Sequence, residues 1–117
     1  MATKKICYAS VSSHFEAVHC WPDAPNAQSF LRNPHRHMFE VEVNIQVFHN
    51  DREIEYLAFK DCLTVLLLTM PKPRTFSCEQ YSDQIAEILN TQYKKRHVLI
   101  SVREDGKEGS ITSYDLD

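Results

Sequence analysis

One run of residues constrains the fold of this chain more than any other. From His35 to Val47 the side chains alternate without a break. His35, His37, Phe39, Val41, Val43, Ile45 and Val47 fall on one face; Arg36, Met38, Glu40, Glu42, Asn44 and Gln46 fall mostly on the other. Successive side chains of a strand point to opposite faces, so this pattern predicts a long strand with one face packed on a core and one polar face. It is the best-defined strand in the chain.

Ile6 to Ala17 is hydroxyl-rich and loosely alternating, which predicts a first strand. Trp21 to Gln28 carries two prolines and several turn formers and reads as a covering loop. After the polar turn His49-Asn50-Asp51-Arg52 the period changes to 3.6. Ile54, Leu57, Ala58, Cys62, Val65, Leu66 and Thr69 form one stripe of a helix ended by Pro71 and Pro73. Ser77 and Gln80 form a capping box, and Tyr81, Ile85, Ile88 and Leu89 give a second helix its apolar stripe. Val98 to Val102 is a short apolar strand, Asp105 to Gly109 a turn that holds both glycines, and Ile111 to Tyr114 a strand pairing back. The order strand, strand, helix, helix, strand, strand predicts an α+β fold: a four-stranded antiparallel sheet with two helices on one face. Four strands leave two edges, which predicts closure by association with further copies of the chain.

At 117 residues the whole chain, 1–117, is read as a single domain. Hydrophobic residues make up 43% and charged residues 25%, enough apolar material for a core and too much for a disordered segment. Thirteen basic residues against 16 acidic ones, without a basic stripe, argue against a nucleic-acid partner. The longest apolar run, Val65 to Leu68, is far below the roughly 20 residues of a membrane span. The basic start of the chain runs into alternating residues and not into an apolar export core, so the expected location is cytoplasmic. Cys7, Cys20, Cys62 and Cys78 contain no CxxC pair, and Cys62 and Cys78 read as helix-packing residues.

His35 and His37 lie two apart on one face of the strand, roughly 7 Å apart along the backbone, and can converge on one ion. His19, at the end of the first strand, is the candidate third ligand. Three neutral imidazoles with an open fourth position make a catalytic zinc site, whereas closed structural sites take four protein ligands. Spacing alone also leaves open a pair of solvated strand histidines beside Glu40 and Glu42.

The residues around these histidines carry more. Phe15-Glu16-Ala17-Val18-His19, the proline-containing loop, and Pro34-His35-Arg36-His37-Met38-Phe39-Glu40-Val41-Glu42-Val43 resemble the zinc motif of the 6-pyruvoyltetrahydropterin synthase and 6-carboxytetrahydropterin synthase family. There an aromatic, small residues and a histidine precede a His-Gly-His that enters a long alternating strand. Glu55-Tyr56-Leu57-Ala58-Phe59-Lys60 is similar to the family's Asp-Phe-x-x-Leu-Lys, and Ser77-Cys78-Glu79-Gln80 to its Thr-x-Glu-Asn. Val102-Arg103-Glu104, followed by the turn and Tyr114, resembles the strand that carries the family's pterin-anchoring glutamate. The likeness covers nearly the whole chain in the correct order. It implies the tunnelling fold, in which trimers close their sheets into a barrel and commonly stack as hexamers. It also implies Zn2+ bound by His19, His35 and His37, and a pterin anchored by Glu104 with Ser77 and Cys78 at the substrate site. A carboxylate suits the anchor role because it accepts two parallel hydrogen bonds from adjacent ring N–H and amino donors.

The same likeness marks what this chain lacks. The family reaction on 7,8-dihydroneopterin triphosphate uses a cysteine a few residues before the His-x-His and an Asp-His pair between the helices. Leu31 and Ser29 stand at the cysteine positions, and Leu63 to Arg74 contains neither Asp nor His. Leucine cannot accept a proton and serine is a poor base unaided. Two substitutes are expected from the sequence. Cys20 follows a metal ligand directly, where the ion's charge favours a thiolate. His14 precedes His19 by five residues and reaches the same face only if a bulge intervenes. Arg36, in place of the family glycine, faces away from the metal, and His49 and His97 stand outside the chemistry. Three functions remain in view: a zinc-dependent carbon–oxygen lyase acting on a reduced pterin, a non-catalytic homologue that keeps the metal and pterin pocket, and a metal-stabilised structural oligomer.

Overall fold

A computed structural model describes residues 3–117. The alternating segment forms strand β2 (His35–Val47), paired antiparallel with β1 (Cys7–His19) in an unbroken register from Cys7 opposite Val47 to His19 opposite His35. On its other side β2 pairs with β3 (His97–Glu104), with Phe39 opposite Glu104 and Ile45 opposite Val98. The last strand, β4 (Glu108–Asp115), pairs back on β3. The fold is α+β, with a four-stranded antiparallel sheet in the order β1-β2-β3-β4. Its helices are a 3-10 helix (Asn26–Arg32), α1 (Tyr56–Thr69) and α2 (Cys78–Leu89).

One strand runs further than alternation alone predicts. β1 ends at His19, as the sequence reading places it, and β3 extends from Val98–Val102 to His97–Glu104, because backbone pairing carries on where the apolar pattern stops. Both strands end at the histidine cluster. The turn between β3 and β4 is tighter than expected. It runs through Asp105 and Gly106, both at positive φ (53° and 71°), with the Lys107 N–H donating to the Glu104 carbonyl at 3.0 Å. Glu104 pairs opposite Glu108, so three residues make the connection, and the consecutive left-handed residues reverse the chain in step with the strand twist. The covering loop is also more ordered than its prolines suggest. The Trp21 N–H donates to the Leu31 carbonyl at 2.7 Å and Arg32 Nε to the Ala24 carbonyl at 2.8 Å, folding the 3-10 helix back on the end of β1.

One face of the sheet is the core: Ala9, Val11, Phe15 and Ala17 of β1, Phe39, Val41, Val43 and Ile45 of β2, and Val98, Ile100 and Val102 of β3. Helix α1 packs on β1, and α2 on β3 and β4, both on this face. The other face carries Ser12, His14, Glu16, Glu40 and Glu42, all exposed. Helix α2 starts as expected. Ser77 Oγ accepts the Gln80 N–H at 3.2 Å and Gln80 Oε1 accepts the Ser77 N–H at 2.8 Å.

Helix α1 corrects the sequence reading. Its buried residues are Phe59, Leu63 and Leu67, not the stripe through Leu57 and Val65, which are 71% and 58% exposed. Cys62 is likewise exposed and does not pack, while Cys78 is buried as expected. The helix is apolar on more than one side, so its period admits two stripes. The stripe that includes the largest side chain wins, with the Phe59 ring meeting Tyr93 edge-on at 5.5 Å. No helix among the described residues is long and apolar enough to cross a membrane.

Candidate metal centre

The β1–β2 register decides the site. His19 closes β1 directly opposite His35, and His37 follows two residues later on the same face. The three ring centroids lie 4.5, 5.2 and 5.0 Å apart, and one nitrogen from each ring lies within 4.8 Å of the other two. Below them the Phe39 ring, 5.3 Å from the His19 ring, stacks on Phe15 at 5.0 Å and forms an apolar floor.

The Nδ1 atom of each histidine faces an oxygen that can only accept. His19 Nδ1 meets the Phe76 carbonyl at 3.3 Å, His35 Nδ1 the Asn33 carbonyl at 2.8 Å, and His37 Nδ1 the Asp105 carboxylate at 2.6 Å. Each Nδ1 therefore carries the proton, and each Nε2 presents a lone pair. His19 Nε2 and His35 Nε2 are buried and have no hydrogen-bond partner in the protein. Buried acceptors without donors cost roughly 1–3 kcal/mol each, and lone pairs gathered this closely repel. A cation removes both penalties, and outward hydrogen bonding of ligand imidazoles is the usual support of a bound metal. Burial holds His19 below its ordinary pKa against the raising effects of the Phe76 carbonyl and Glu104, which keeps it in the neutral form that ligates. Donor set, tautomers and proximity fit zinc.

Glu104, the last residue of β3, joins the cluster because β3 pairs it with Phe39, two residues beyond His37 on the same face of β2. Its Oε1 lies 3.5 Å from His19 Nε2 and its Oε2 3.6 Å from His37 Nε2. Asp105 was not singled out from the sequence. Its carboxylate takes the His37 Nδ1–H and also the Met38 N–H at 3.0 Å, while its own N–H donates to the Met38 carbonyl at 2.7 Å. The His37 bond, then the Met38 bond, hold its carboxyl below the usual range. The available signal was an Asp-Gly turn directly after a strand end.

A cleft of about 440 Å³ opens over the cluster, walled by His19, Cys20, Trp21, Leu31, His35, Phe76, Ser77, Cys78 and Glu104 among others. That volume suits a small heterocycle. Cys20 lies in this wall, its backbone N–H bonded to the Arg74 carbonyl at 2.7 Å. Burial, with Glu104 and Glu79 adding to it, pushes the Cys78 thiol up to about 12, so Cys78 is a wall residue and not a base. Leu31 lines the cleft, whereas Ser29 is exposed and outside it. His14 is corrected: no bulge interrupts β1, so it sits exposed on the far face opposite Glu40, away from the cluster. Arg36, on that same far face, pairs with Glu16 at 3.2 Å. Comparison with protein-family models, curated proteins and solved structures finds no match to this chain.

Proposed function

We propose that this protein is a zinc-dependent carbon–oxygen lyase of the 6-pyruvoyl- and 6-carboxytetrahydropterin synthase type. Its substrate in this reading is 7,8-dihydroneopterin triphosphate or a related reduced pterin, and its working form a homo-oligomer, a trimer or hexamer. The observation that carries the reading is the set of three clustered imidazoles whose Nδ1–H groups are all bonded to acceptors, leaving the Nε2 lone pairs free at the edge of the cleft. Zinc, when bound, supplies a Lewis acid that polarises oxygens of the substrate side chain. The residues of the chain do the rest. Glu104 accepts hydrogen bonds from the ring N–H and amino donors of the heterocycle, and Trp21 and Phe76 wall it in. Ser77, whose Oγ is engaged by the Gln80 N–H, keeps its own O–H to donate. Cys20, next to His19, is the proton acceptor of this reading, since Cys78 is held protonated.

A second reading, a pterin-binding protein without turnover, is favoured by Leu31 in the cleft wall where the resemblance expects a thiol. Protein purified without chelator should hold about one zinc per chain, lost in His35→Ala and His37→Ala. Incubation with dihydroneopterin triphosphate should release triphosphate and a new pterin, abolished in Cys20→Ala. A pterin bound but unchanged selects the second reading. A reduced pterin that does not bind removes both.

A further inference from the structure

We infer that Glu104 is itself a ligand of the metal, so that the resting centre is closed by three imidazoles and one carboxylate and opens only when a pterin draws Glu104 away. The inference rests on the metal centre of the proposed function and deepens it.

The distances decide between an ion pair and a shared ion. Glu104 Oε1 is 3.5 Å from His19 Nε2, and Oε2 is 3.6 Å from His37 Nε2. An N–H···O hydrogen bond spans about 2.7–3.2 Å, and both separations exceed it. Two donor atoms on a tetrahedral zinc, with arms of about 2.0–2.1 Å, stand roughly 3.3–3.4 Å apart. The observed spacings lie close to that edge length. The protons point the same way. His19 and His37 have committed Nδ1–H to the Phe76 carbonyl and the Asp105 carboxylate, so both Nε2 atoms are acceptors, as are both carboxylate oxygens. Acceptors gather at such spacing around a cation.

The carboxylate also addresses the site symmetrically. Each oxygen faces a different ring, as expected of a group that straddles an ion and not of one that pairs with a single imidazole. Among the described residues no lysine or arginine lies within 4.0 Å of Glu104, so no side chain of fixed charge neutralises it. The strand register fixes the backbone at Glu104 and leaves its side chain free to turn. Glu104 is paired opposite Phe39, and the turn residue next to it, Asp105, clamps both His37 and the Met38 backbone.

One consequence separates this arrangement from an open three-histidine site. The group that would anchor the pterin is the group that closes the metal. Heterocycle binding and the freeing of a coordination position then become one event, and zinc stays shielded from stray ligands until substrate arrives.

The test uses the full chain loaded with zinc or with cobalt(II), whose visible absorption reports coordination. Glu104→Gln should lower zinc affinity by about 10–100-fold in chelator competition and change the cobalt spectrum. Glu42→Gln, a charge loss on the far face, should do neither. The cobalt form of the unaltered chain should ignore added azide, whereas the Glu104→Gln form should bind it with a spectral change. Unaltered zinc affinity and spectrum in Glu104→Gln overturns the inference. So does an azide-dependent spectrum in the unaltered chain, a measurement that stands even if the variant fails to fold. A chain that passes these tests yet binds no 7,8-dihydroneopterin keeps the closed centre and loses the proposed function. A chain that takes up neither metal loses both.

Discussion

Three backbone and side-chain oxygens, those of Asn33, Phe76 and Asp105, decide which nitrogen of each histidine faces the cluster. That the three clustered histidines are legible from sequence follows from strand parity: residues 35 and 37 must share a face, and the pairing of β1 with β2 brings residue 19 beside them. Asp105 was illegible because its contact with His37 exists only through β2–β3 pairing, which joins parts of the chain far apart in sequence. The residue scale also sets a pH dependence. His19 has its pKa lowered from 6.5 in the folded protein, chiefly by burial, so the unfolded chain binds the proton more readily. Stability therefore rises with pH across the window between the folded and unfolded values and is lost as the pH falls below about 6.5. The thermal midpoint of the metal-free protein should drop between about pH 7.5 and about pH 5.5, and His19→Gln should flatten that slope. An equally steep fall in the variant would assign the effect elsewhere.

Among the elements, β2 and α2 are readable with the face they bury, whereas α1 is readable as a helix but not in which face it buries. β2 has one polar face and one apolar face, so its pattern admits a single orientation, and the Ser77–Gln80 pair fixes where α2 begins. α1 offers Phe59, Leu63 and Leu67 on one side and Leu57, Val65 and Leu68 on another, and only packing against β1 selects between them. The selection can be measured. Leu63→Ala should cost about 2–5 kcal/mol of unfolding free energy through the cavity it leaves. Leu57→Ala, at an exposed position, should stay within about 0.5 kcal/mol. Equal losses in denaturant titration would mean that the helix is rotated from the orientation described.

As a whole, the molecule presents surfaces that a lone copy leaves exposed. Among the described residues, β1 and β4 are free sheet edges, one sheet face has no covering layer, and Leu57, Leu68 and Ile111 are 71%, 70% and 63% exposed. Sedimentation equilibrium should find the trimer or hexamer proposed above; a monomer at micromolar concentration would remove the oligomer from the proposal. Sequence announces the edges, because four strands in an open sheet must have two. One consequence of the histidine cluster belongs to this scale. His19 comes from the first strand, His35 and His37 from the second, and Glu104 from the third, with both α-helices strung along the chain between the second and the third. An ion held by these residues is a reversible cross-link across most of the chain in a protein whose cysteines are all free. It closes long loops in entropy as a disulfide would, and undoes itself whenever the metal is withdrawn.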